Sequence, residues 1–284
     1  MLLAPDGRVV ATTDLLIDGR HFRRDWSAAR DIGIKAAAQN LADIAAMGAV
    51  PTALLFGLAI PGATAAAWVL EVTRGLIAES ERGGAVIAGG DVTSSATIML
   101  AITALGDLSG RAPVTRAGAR AGDVIAVSGV VGRSAGGLAL LQAGRGADRS
   151  AEVADLVAAH RRPQPDYRAG PLAAAAGATA MIDVSDGLVA DLGHVAAASG
   201  VRIDVQSSRL PVGGLTAVAA ELGADWREWA LSGGEDHALA ASFPPDSKPP
   251  ETWTVIGTVR EGNGVLVDSA PWQDRAGWDH FRDC

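Results

Sequence analysis

Residues 88–93 read Ala-Gly-Gly-Asp-Val-Thr, and they lie between two apolar runs at residues 85–88 and 98–102. Each run predicts a buried strand, and the Gly-Gly-Asp triplet is predicted to lie where the first strand ends. Glycine lets a ligand approach the backbone closely, and the neighbouring aspartate supplies an oxygen ligand for a magnesium ion that carries phosphates. Because the same triplet is common in simple turns, it indicates a phosphate site only together with further carboxylates.

Four further aspartates are flanked by apolar residues. Asp14, Asp183 and Asp186 are predicted at strand ends, and Asp43 is predicted inside a helix, beside its apolar stripe. Carboxylates packed near one another raise each other's pKa and cost stability unless cations lie between them. An all-oxygen set of ligands favours magnesium over zinc. The pattern therefore predicts a magnesium site built from residues far apart in the sequence.

The chain has 284 residues, which is long enough for two domains. Residues 106–122 are rich in glycine and arginine and are the best candidate for a linker, so we place the boundary there, with domains at residues 1–112 and 113–284. The predicted strands span residues 8–14, 52–60, 96–105, 123–129, 203–205, 237–243, 255–259 and 265–267, and the main predicted helices span residues 32–47, 63–82, 134–143, 151–160, 170–176, 188–199 and 217–222.

Composition excludes several classes of protein. The formal net charge of −8 is the wrong sign for a surface that binds nucleic acid, so no nucleic-acid partner is expected. The single cysteine, Cys284, excludes a disulfide framework and a cysteine-rich zinc site, and it favours a cytoplasmic location. No secretory leader is recognisable after Met1. Residues 44–70 carry no charge, but two prolines and two glycines divide them into short elements, so no membrane span is expected.

Common nucleotide-binding and nucleophile motifs are missing from the sequence. No Gly-x-x-x-x-Gly-Lys-Ser/Thr loop occurs, and no protein-kinase glycine loop with its partner lysine occurs. The glycines of residues 129–137 have the wrong spacing for a dinucleotide site, and Ser185 lacks the Gly-x-Ser-x-Gly context of a nucleophile. His21, in a polar loop, and Trp278, beside a glycine, remain candidates for contact with a ligand.

Five segments together carry a family resemblance. They are residues 12–22 (Thr-Thr-Asp-Leu-Leu-Ile-Asp-Gly-Arg-His-Phe), 40–49 (Asn-Leu-Ala-Asp-Ile-Ala-Ala-Met-Gly-Ala), 89–91 (Gly-Gly-Asp), 182–188 (Ile-Asp-Val-Ser-Asp-Gly-Leu) and 231–236 (Leu-Ser-Gly-Gly-Glu-Asp). In order and spacing they closely resemble the thiamine-monophosphate kinase family along almost the whole chain, and the first two are highly specific.

The resemblance implies a reaction and a fold. Members of this family use ATP and magnesium to phosphorylate thiamine monophosphate to thiamine diphosphate, which implies direct in-line transfer without a phosphoenzyme. The implied fold is the two-domain PurM-like fold, shared with aminoimidazole ribonucleotide synthetase. It has an N-terminal α/β domain that contributes strands to a dimer-spanning barrel in a homodimer, and a C-terminal α+β domain.

The resemblance also assigns roles to individual residues. It implies metal ligands at Thr12, Thr13, Asp14, Asp43, Asp91, Asp183 and Asp186, among which Asp14, Asp43, Asp91 and Asp183 carry the catalysis. It implies ATP-binding residues at Gly90, Asp91, Arg116 and Ser185, and thiamine-phosphate-binding residues at His21, Glu235 and Trp278. An arginine suits phosphate, and a carboxylate with an aromatic ring suits a cationic ring system, so the chemistry of these residues agrees with the implied roles.

Two departures from the family pattern keep alternatives open. The family carries an Asp-Asp-Ala-Ala segment before the first strand, and its acidic residue helps to bind metal, whereas this chain begins Met-Leu-Leu-Ala-Pro. Either the start of the sequence is misassigned or truncated, or the metal cluster is depleted, which would leave a binding protein with impaired catalysis. Thr73 stands where the family has an aromatic residue beside adenine, so stacking is expected to be weaker or to come from elsewhere. A hydrogenase-maturation-type enzyme that uses ATP and the terminal Cys284 is the second alternative.

Overall fold

The computed structural model describes residues 2, 4–273 and 276–278. The first half of the chain alternates strands and helices before a closing strand. These elements are β1 (Val10–Ile17), α1 (Ala29–Ala46), β2 (Val50–Ile60), α2 (Ala66–Arg82), β3 (Val86–Ser94) and β4 (Met99–Asp107).

The first four strands form one sheet in the order β1-β4-β2-β3. β2 and β3 are parallel, and the other neighbours are antiparallel. α1 packs against one face of this sheet and against α2. The two helices approach closely at Gly75, where an added Cβ would lie 2.0 Å from the carbonyl oxygen of Arg30. The opposite face exposes apolar side chains, including Leu15 and Leu55.

The second half of the chain forms a larger mixed sheet. Its strands and helices are β5 (Val124–Ser128), α3 (Arg133–Gln142), α4 (Ala151–Arg161), α5 (Ala169–Ala175), β6 (Ala180–Asp183), α6 (Leu188–Ser199), β7 (Arg202–Val205), a 3-10 turn (Ser207–Arg209), α7 (Leu215–Leu222), α8 (Trp226–Ser232), β8 (Leu239–Phe243), β9 (Trp253–Arg260), β10 (Gly264–Val267) and β11 (Ala270–Pro271). The sheet order is β11-β10-β7-β9-β5-β8-β6. This architecture confirms the predicted combination of α/β and α+β folds.

A common hydrophobic core joins the two sheets. Leu41 of α1 and Ile102 of β4 belong to the same buried cluster as Met181, Phe243 and Trp253 of the second sheet. The chain passes from one sheet to the other between β4 and β5, within the glycine-rich segment. The boundary between residues 112 and 113 stays a prediction.

Two predicted strand ends are wrong. Asp14 lies inside β1, because the alternation of side chains continues for three more residues to Ile17. Asp91 lies inside β3, which continues to Ser94 as an exposed edge strand paired only with β2 within the described sheet. An apolar run predicts a strand but does not show whether the strand has neighbours on both sides. Among the described helices, none is both long and apolar enough to cross a membrane.

Candidate active site

A cavity of about 1260 Å³, here called the large cavity, collects residues from both halves of the chain. β1, α1 and the loop after β1 contribute one wall, and the segments that follow β6 and α8 contribute another. The sequence-predicted residues that line it are Thr12, Asp14, His21, Asp43, Arg116, Asp183, Ser185, Asp186, Glu235 and Trp278.

Carboxylates lie close together where β1 faces α1. The Thr12 hydroxyl donates a hydrogen bond to Asp43 Oδ2 at 2.7 Å, and Gln39 Nε2 donates to Asp14 Oδ2 at 3.1 Å. Burial, together with the negative charges of Asp183 and Asp14, raises the pKa of Asp43 to about 7. A cation placed among these carboxylates would remove that repulsion.

The donor chemistry fits magnesium, although the described residues do not form a complete ligand cage. Among them, no three His, Cys, Asp or Glu side chains converge at a spacing that would hold a metal ion. Magnesium is commonly bound by one or two carboxylates, with waters and substrate phosphates as the remaining ligands. The charges of Asp14 and Asp183 both raise the pKa of Asp43, so each acts on the same buried carboxyl group. They supply the oxygen donors that such a shared arrangement requires.

The loop after β6 is shaped by a buried aspartate that sequence reasoning missed. Asp191, in the first turn of α6, accepts hydrogen bonds through Oδ2 from the backbone N–H groups of Ser185, Asp186 and Gly187 at 3.0, 3.1 and 3.1 Å. Burial and the charge of Asp183 raise the pKa of Asp191 to about 7. Its position four residues after Gly187, which ends the Asp-x-Ser-Asp-Gly segment, is the signal that could have found it. These bonds fix the loop from which Ser185 and Asp186 line the large cavity.

The segment between α8 and β8 has unusual backbone geometry. Glu235 and His237 have positive φ angles of 63° and 52°, which non-glycine residues adopt at a cost in energy. Between them, the half-buried carboxylate of Asp236 accepts hydrogen bonds from the backbone N–H groups of Gly132 and Ser134 at the start of α3. Burial raises the pKa of Asp236 to about 6. Asp236 therefore ties the strained segment to a helix terminus.

His237 brings the strained segment into contact with the acidic cluster. Its Nδ1 atom lies 3.4 Å from Asp183 Oδ2, and both side chains are buried. Burial alone would lower the pKa of His237, but the hydrogen bond and charge of Asp183 outweigh it, so the pKa is raised. No local sequence pattern predicts this contact, because His237 and Asp183 are 54 positions apart in the chain.

Glu235 is held by a buried lysine. Lys35 Nζ donates to Glu235 Oε2 at 2.8 Å, and the Lys35 side chain is only 3% exposed. Burial opposes ionisation of Glu235, but the charge of Lys35 is stronger and lowers the pKa to about 2. His160 Nδ1 lies 3.5 Å from the same oxygen, and burial with the charge of Lys35 lowers the pKa of His160 to about 4. At neutral pH the Glu235 carboxylate is thus ionised beside a neutral imidazole.

Two aromatic side chains that the sequence analysis predicts to contact a ligand, His21 and Trp278, line the large cavity. His21 Nδ1 accepts a hydrogen bond from the backbone N–H of Ile17 at 3.1 Å, which fixes the imidazole against the end of β1. The backbone N–H of Trp278 donates to the carbonyl oxygen of Asp186 at 2.9 Å, and the Trp278 side chain is 45% exposed. This bond anchors Trp278 beside the loop after β6.

Three of the predicted residues do not line the large cavity. Thr13 points to the other face of the first sheet, where its hydroxyl donates to the carbonyl oxygen of Ile102 at 3.0 Å. Gly90 and Asp91 line a separate cavity of about 330 Å³, here called the edge cavity, together with Thr73 of α2. The roles of Thr13, Gly90 and Asp91 stay predictions.

Comparisons with known proteins agree along the whole chain. The family model for the AIR synthase related protein, N-terminal domain, matches residues 1–108. A thiamine-monophosphate kinase of Mycobacterium tuberculosis is 50% identical over 284 residues, covering 99% of this chain and 83% of that protein.

Solved structures show the same fold. The crystal structure of thiamine monophosphate kinase from Aquifex aeolicus has a TM-score of 0.88 and 33% identity, covering 95% of this chain and 91% of that chain. The structure of AaThiL complexed with AMPPCP and TMP has a TM-score of 0.91 and 33% identity, covering 99% of this chain and 89% of that chain. The predicted resemblance and the PurM-like fold of the single chain are confirmed. The dimer-spanning barrel and the homodimer stay predictions.

Proposed function

The chain belongs to the thiamine-monophosphate kinase family, and we propose that it transfers the terminal phosphoryl group of ATP to thiamine monophosphate, with thiamine diphosphate and ADP as products. The supporting observation is the large cavity, which gathers carboxylates, an arginine, a histidine and an exposed tryptophan from distant parts of the sequence. Phosphoryl transfer depends on positioning and charge neutralisation more than on a protein nucleophile, and this set of groups suits both needs.

The large cavity offers separate groups to the two substrates. We assign magnesium to Asp14, Asp43 and Asp183, where it would neutralise phosphate charge. The remaining assignments are the family-implied ones: Thr12, Thr13, Asp91 and Asp186 as further metal ligands, Gly90, Asp91, Arg116 and Ser185 for ATP, and His21, Glu235 and Trp278 for thiamine monophosphate.

A homodimer would explain why Asp91 lies outside the large cavity. β3 is an exposed edge strand, and edge strands present unpaired backbone groups that can add to another sheet. Val86 and Val92 of β3 are 60% and 61% exposed, and the uncovered face of the sheet adds Leu15 and Leu55. Apolar surface of this kind marks interaction sites. We therefore propose that a second copy covers this face and that Asp91 serves the partner's site.

An assay of ADP release with thiamine monophosphate as acceptor tests the function. Magnesium- and acceptor-dependent ADP release is the expected result, with thiamine diphosphate identified by mass spectrometry. Calorimetric binding of both ligands without ADP release over hours would instead indicate the impaired binding protein. The hydrogenase-maturation alternative is not favoured by the full-length similarity, and its Cys284 lies outside the described residues. A cytoplasmic location remains a prediction.

A further inference from the structure

Lys35 occupies an unusual position for a lysine. The chain has two lysines, and the other, Lys248, is exposed, whereas the Lys35 side chain is 3% exposed. An ammonium group is strongly hydrated, so burying it is costly unless a partner compensates. Lys35 extends from α1, in the first half of the chain, to Glu235, in the second half. Its buried charge therefore has one clear partner, a residue at the large cavity.

The geometry of Glu235 leaves one carboxylate oxygen for a ligand. The Lys35 ammonium contacts Oε2, and the neutral His160 imidazole lies near the same oxygen. Among the described residues, no hydrogen bond reaches Oε1. The Glu235 side chain is 34% exposed and lines the large cavity, and its backbone N–H donates to the carbonyl oxygen of Ser185 at 2.7 Å. The carboxylate is thus fixed at its backbone and at one oxygen.

The charge balance decides what Glu235 can recognise. The Lys35 ammonium and the Glu235 carboxylate form a pair with no net charge, so the pair attracts a cationic ring only weakly. An anchored carboxylate oxygen remains a strong acceptor of hydrogen bonds. The group best matched to it is a planar N–H donor. In thiamine monophosphate the amino group of the pyrimidine ring is such a donor.

We propose that Lys35 is a positioning residue, which holds Glu235 so that Oε1 accepts a hydrogen bond from the pyrimidine amino group of thiamine monophosphate. This inference rests on the proposed function. Lys35 itself does not contact the substrate; it acts through Glu235. Its contribution should therefore appear in the binding of thiamine monophosphate and should depend on the presence of the Glu235 carboxylate.

Kinetics of Lys35→Met test the positioning role. The change removes the ammonium group but keeps an unbranched side chain of similar length. We expect the KM for thiamine monophosphate to rise about tenfold or more, as a lost charge-assisted hydrogen bond would produce, and the KM for ATP to stay within about twofold. Lys248→Met, the matched change at the exposed lysine, should leave both constants unchanged. Equal increases in both KM values for Lys35→Met would overturn the inference.

A double-mutant cycle with Glu235→Gln separates positioning from a general structural role. If Lys35 acts through Glu235, adding Lys35→Met to Glu235→Gln should raise the KM for thiamine monophosphate by no more than about twofold. Independent, multiplying effects would contradict the inference. The double variant removes both charges, so it also keeps the test valid if Lys35→Met alone fails to fold.

A substrate analogue tests which group Glu235 contacts. The analogue is thiamine monophosphate with the amino group replaced by hydrogen. With the wild-type chain, its KM should be higher than that of thiamine monophosphate. With Glu235→Gln, the analogue and thiamine monophosphate should have the same KM. Equal KM values for the substrate and the analogue with the wild-type chain would refute the contact. If the wild-type chain does not phosphorylate thiamine monophosphate at all, the proposed function fails and this inference fails with it. Normal wild-type turnover with an unaffected Lys35→Met variant removes the inference alone.

Discussion

The large cavity and the edge cavity differ in almost every physical respect, although β1 and β3, which contribute to them, belong to one sheet. The large cavity is lined by several carboxylates. Burial and neighbouring carboxylates raise the pKa of Asp43, whereas the charge of Lys35 lowers the pKa of Glu235. The edge cavity is lined mainly by apolar side chains and glycine, with the single carboxylate of Asp91. One is suited to phosphates with a cation, and the other to a flat apolar group.

We propose that the two cavities divide one ligand between them. ATP carries a highly charged triphosphate at one end and a flat heterocycle at the other, and the two cavities match these ends separately. Within one chain the two cavities lie at opposite edges of the first sheet, because β1 and β3 are its two edge strands. If the proposed second copy brings an edge cavity next to the partner's large cavity, one ATP molecule would span the two.

The largest expected effect is at Asp43. Replacing Asp43 by Asn removes a carboxylate from the cluster that we assign to magnesium, so turnover should fall by about 1,000-fold or more, which corresponds to roughly 4 kcal/mol of lost transition-state stabilisation. The ADP-release assay at saturating substrates measures it. Turnover within tenfold of the wild type would remove Asp43 from the catalytic site.

The same substitution should make the metal-free protein more stable above neutral pH. Because burial and the neighbouring carboxylates raise the pKa of Asp43 from its ordinary value of 3.8 to about 7, the folded state prefers the protonated carboxyl. The contribution of the protonated Asp43 carboxyl to the free energy of unfolding is complete below pH 4 and is lost as pH rises through 7. At pH 8 the melting temperature of Asp43→Asn should therefore exceed that of the wild type by roughly 3 °C. At pH 4 the two proteins should melt at the same temperature. A lower melting temperature at pH 8 would contradict the electrostatic account.

Asp91 gives the next largest effect and tests the link between the cavities. Asp91→Asn should lower turnover nearly as strongly as Asp43→Asn by removing a magnesium ligand, yet mixed dimers of the two variants should recover activity. If Asp91 serves the partner's site, one of the two sites in each mixed dimer is intact, which gives roughly a quarter of wild-type activity after random reassociation. Co-expression of the two variants measures this.

The outcome separates two arrangements of the site. No recovery in the mixture would show that Asp91 acts within its own chain or not at all. Leu55→Asp provides the control, because a charge on the uncovered apolar face should give monomers by light scattering and prevent recovery. Leu55 is 41% exposed, so the single chain should tolerate this substitution.

Much of the fold followed from the sequence because local patterns determined it. The helical spacing between residues 32 and 47 correctly placed α1, and the apolar run at residues 52–60 correctly placed β2. The errors arose where pairing between strands decides the structure. The run before Asp91 was predicted to be a buried strand, yet β3 is an exposed edge. A sequence pattern records the apolar character of a strand, but not which neighbours it receives.

The candidate site was predictable only where a motif marked it. Asp43 and Asp183 stand in segments that resemble a known family, and both line the large cavity. Lys35 and Asp191 lay outside the assigned roles, although both hold the site together. Lys35 lies within the predicted helix at residues 32–47, but its partner Glu235 is 200 residues away, so no local pattern marks Lys35 as part of the site. Such long-range pairs have no local pattern to reveal them.

Glu235→Gln should have a smaller effect, confined to the large cavity. The side chain keeps its shape but loses the charge that pairs with Lys35, so the KM for thiamine monophosphate should rise about tenfold. The KM for ATP should change much less, because the edge cavity and the carboxylate cluster are untouched. Initial-rate kinetics with each substrate varied in turn measure both constants. A larger rise in the KM for ATP would assign Glu235 to the nucleotide instead.

The smallest expected effect is at Thr73, in the edge cavity. Thr73 is half-buried on α2, and its hydroxyl donates to the carbonyl oxygen of Val69 at 2.9 Å, so it offers the cavity no ring. Thr73→Tyr should supply an aromatic face for the heterocycle of ATP. Stacking contributes about 0.5–1.5 kcal/mol, so the KM for ATP should fall roughly two- to tenfold while the KM for thiamine monophosphate stays constant. An unchanged KM for both substrates would mean that the edge cavity does not hold the nucleotide, and the division of labour between the two cavities would then be wrong.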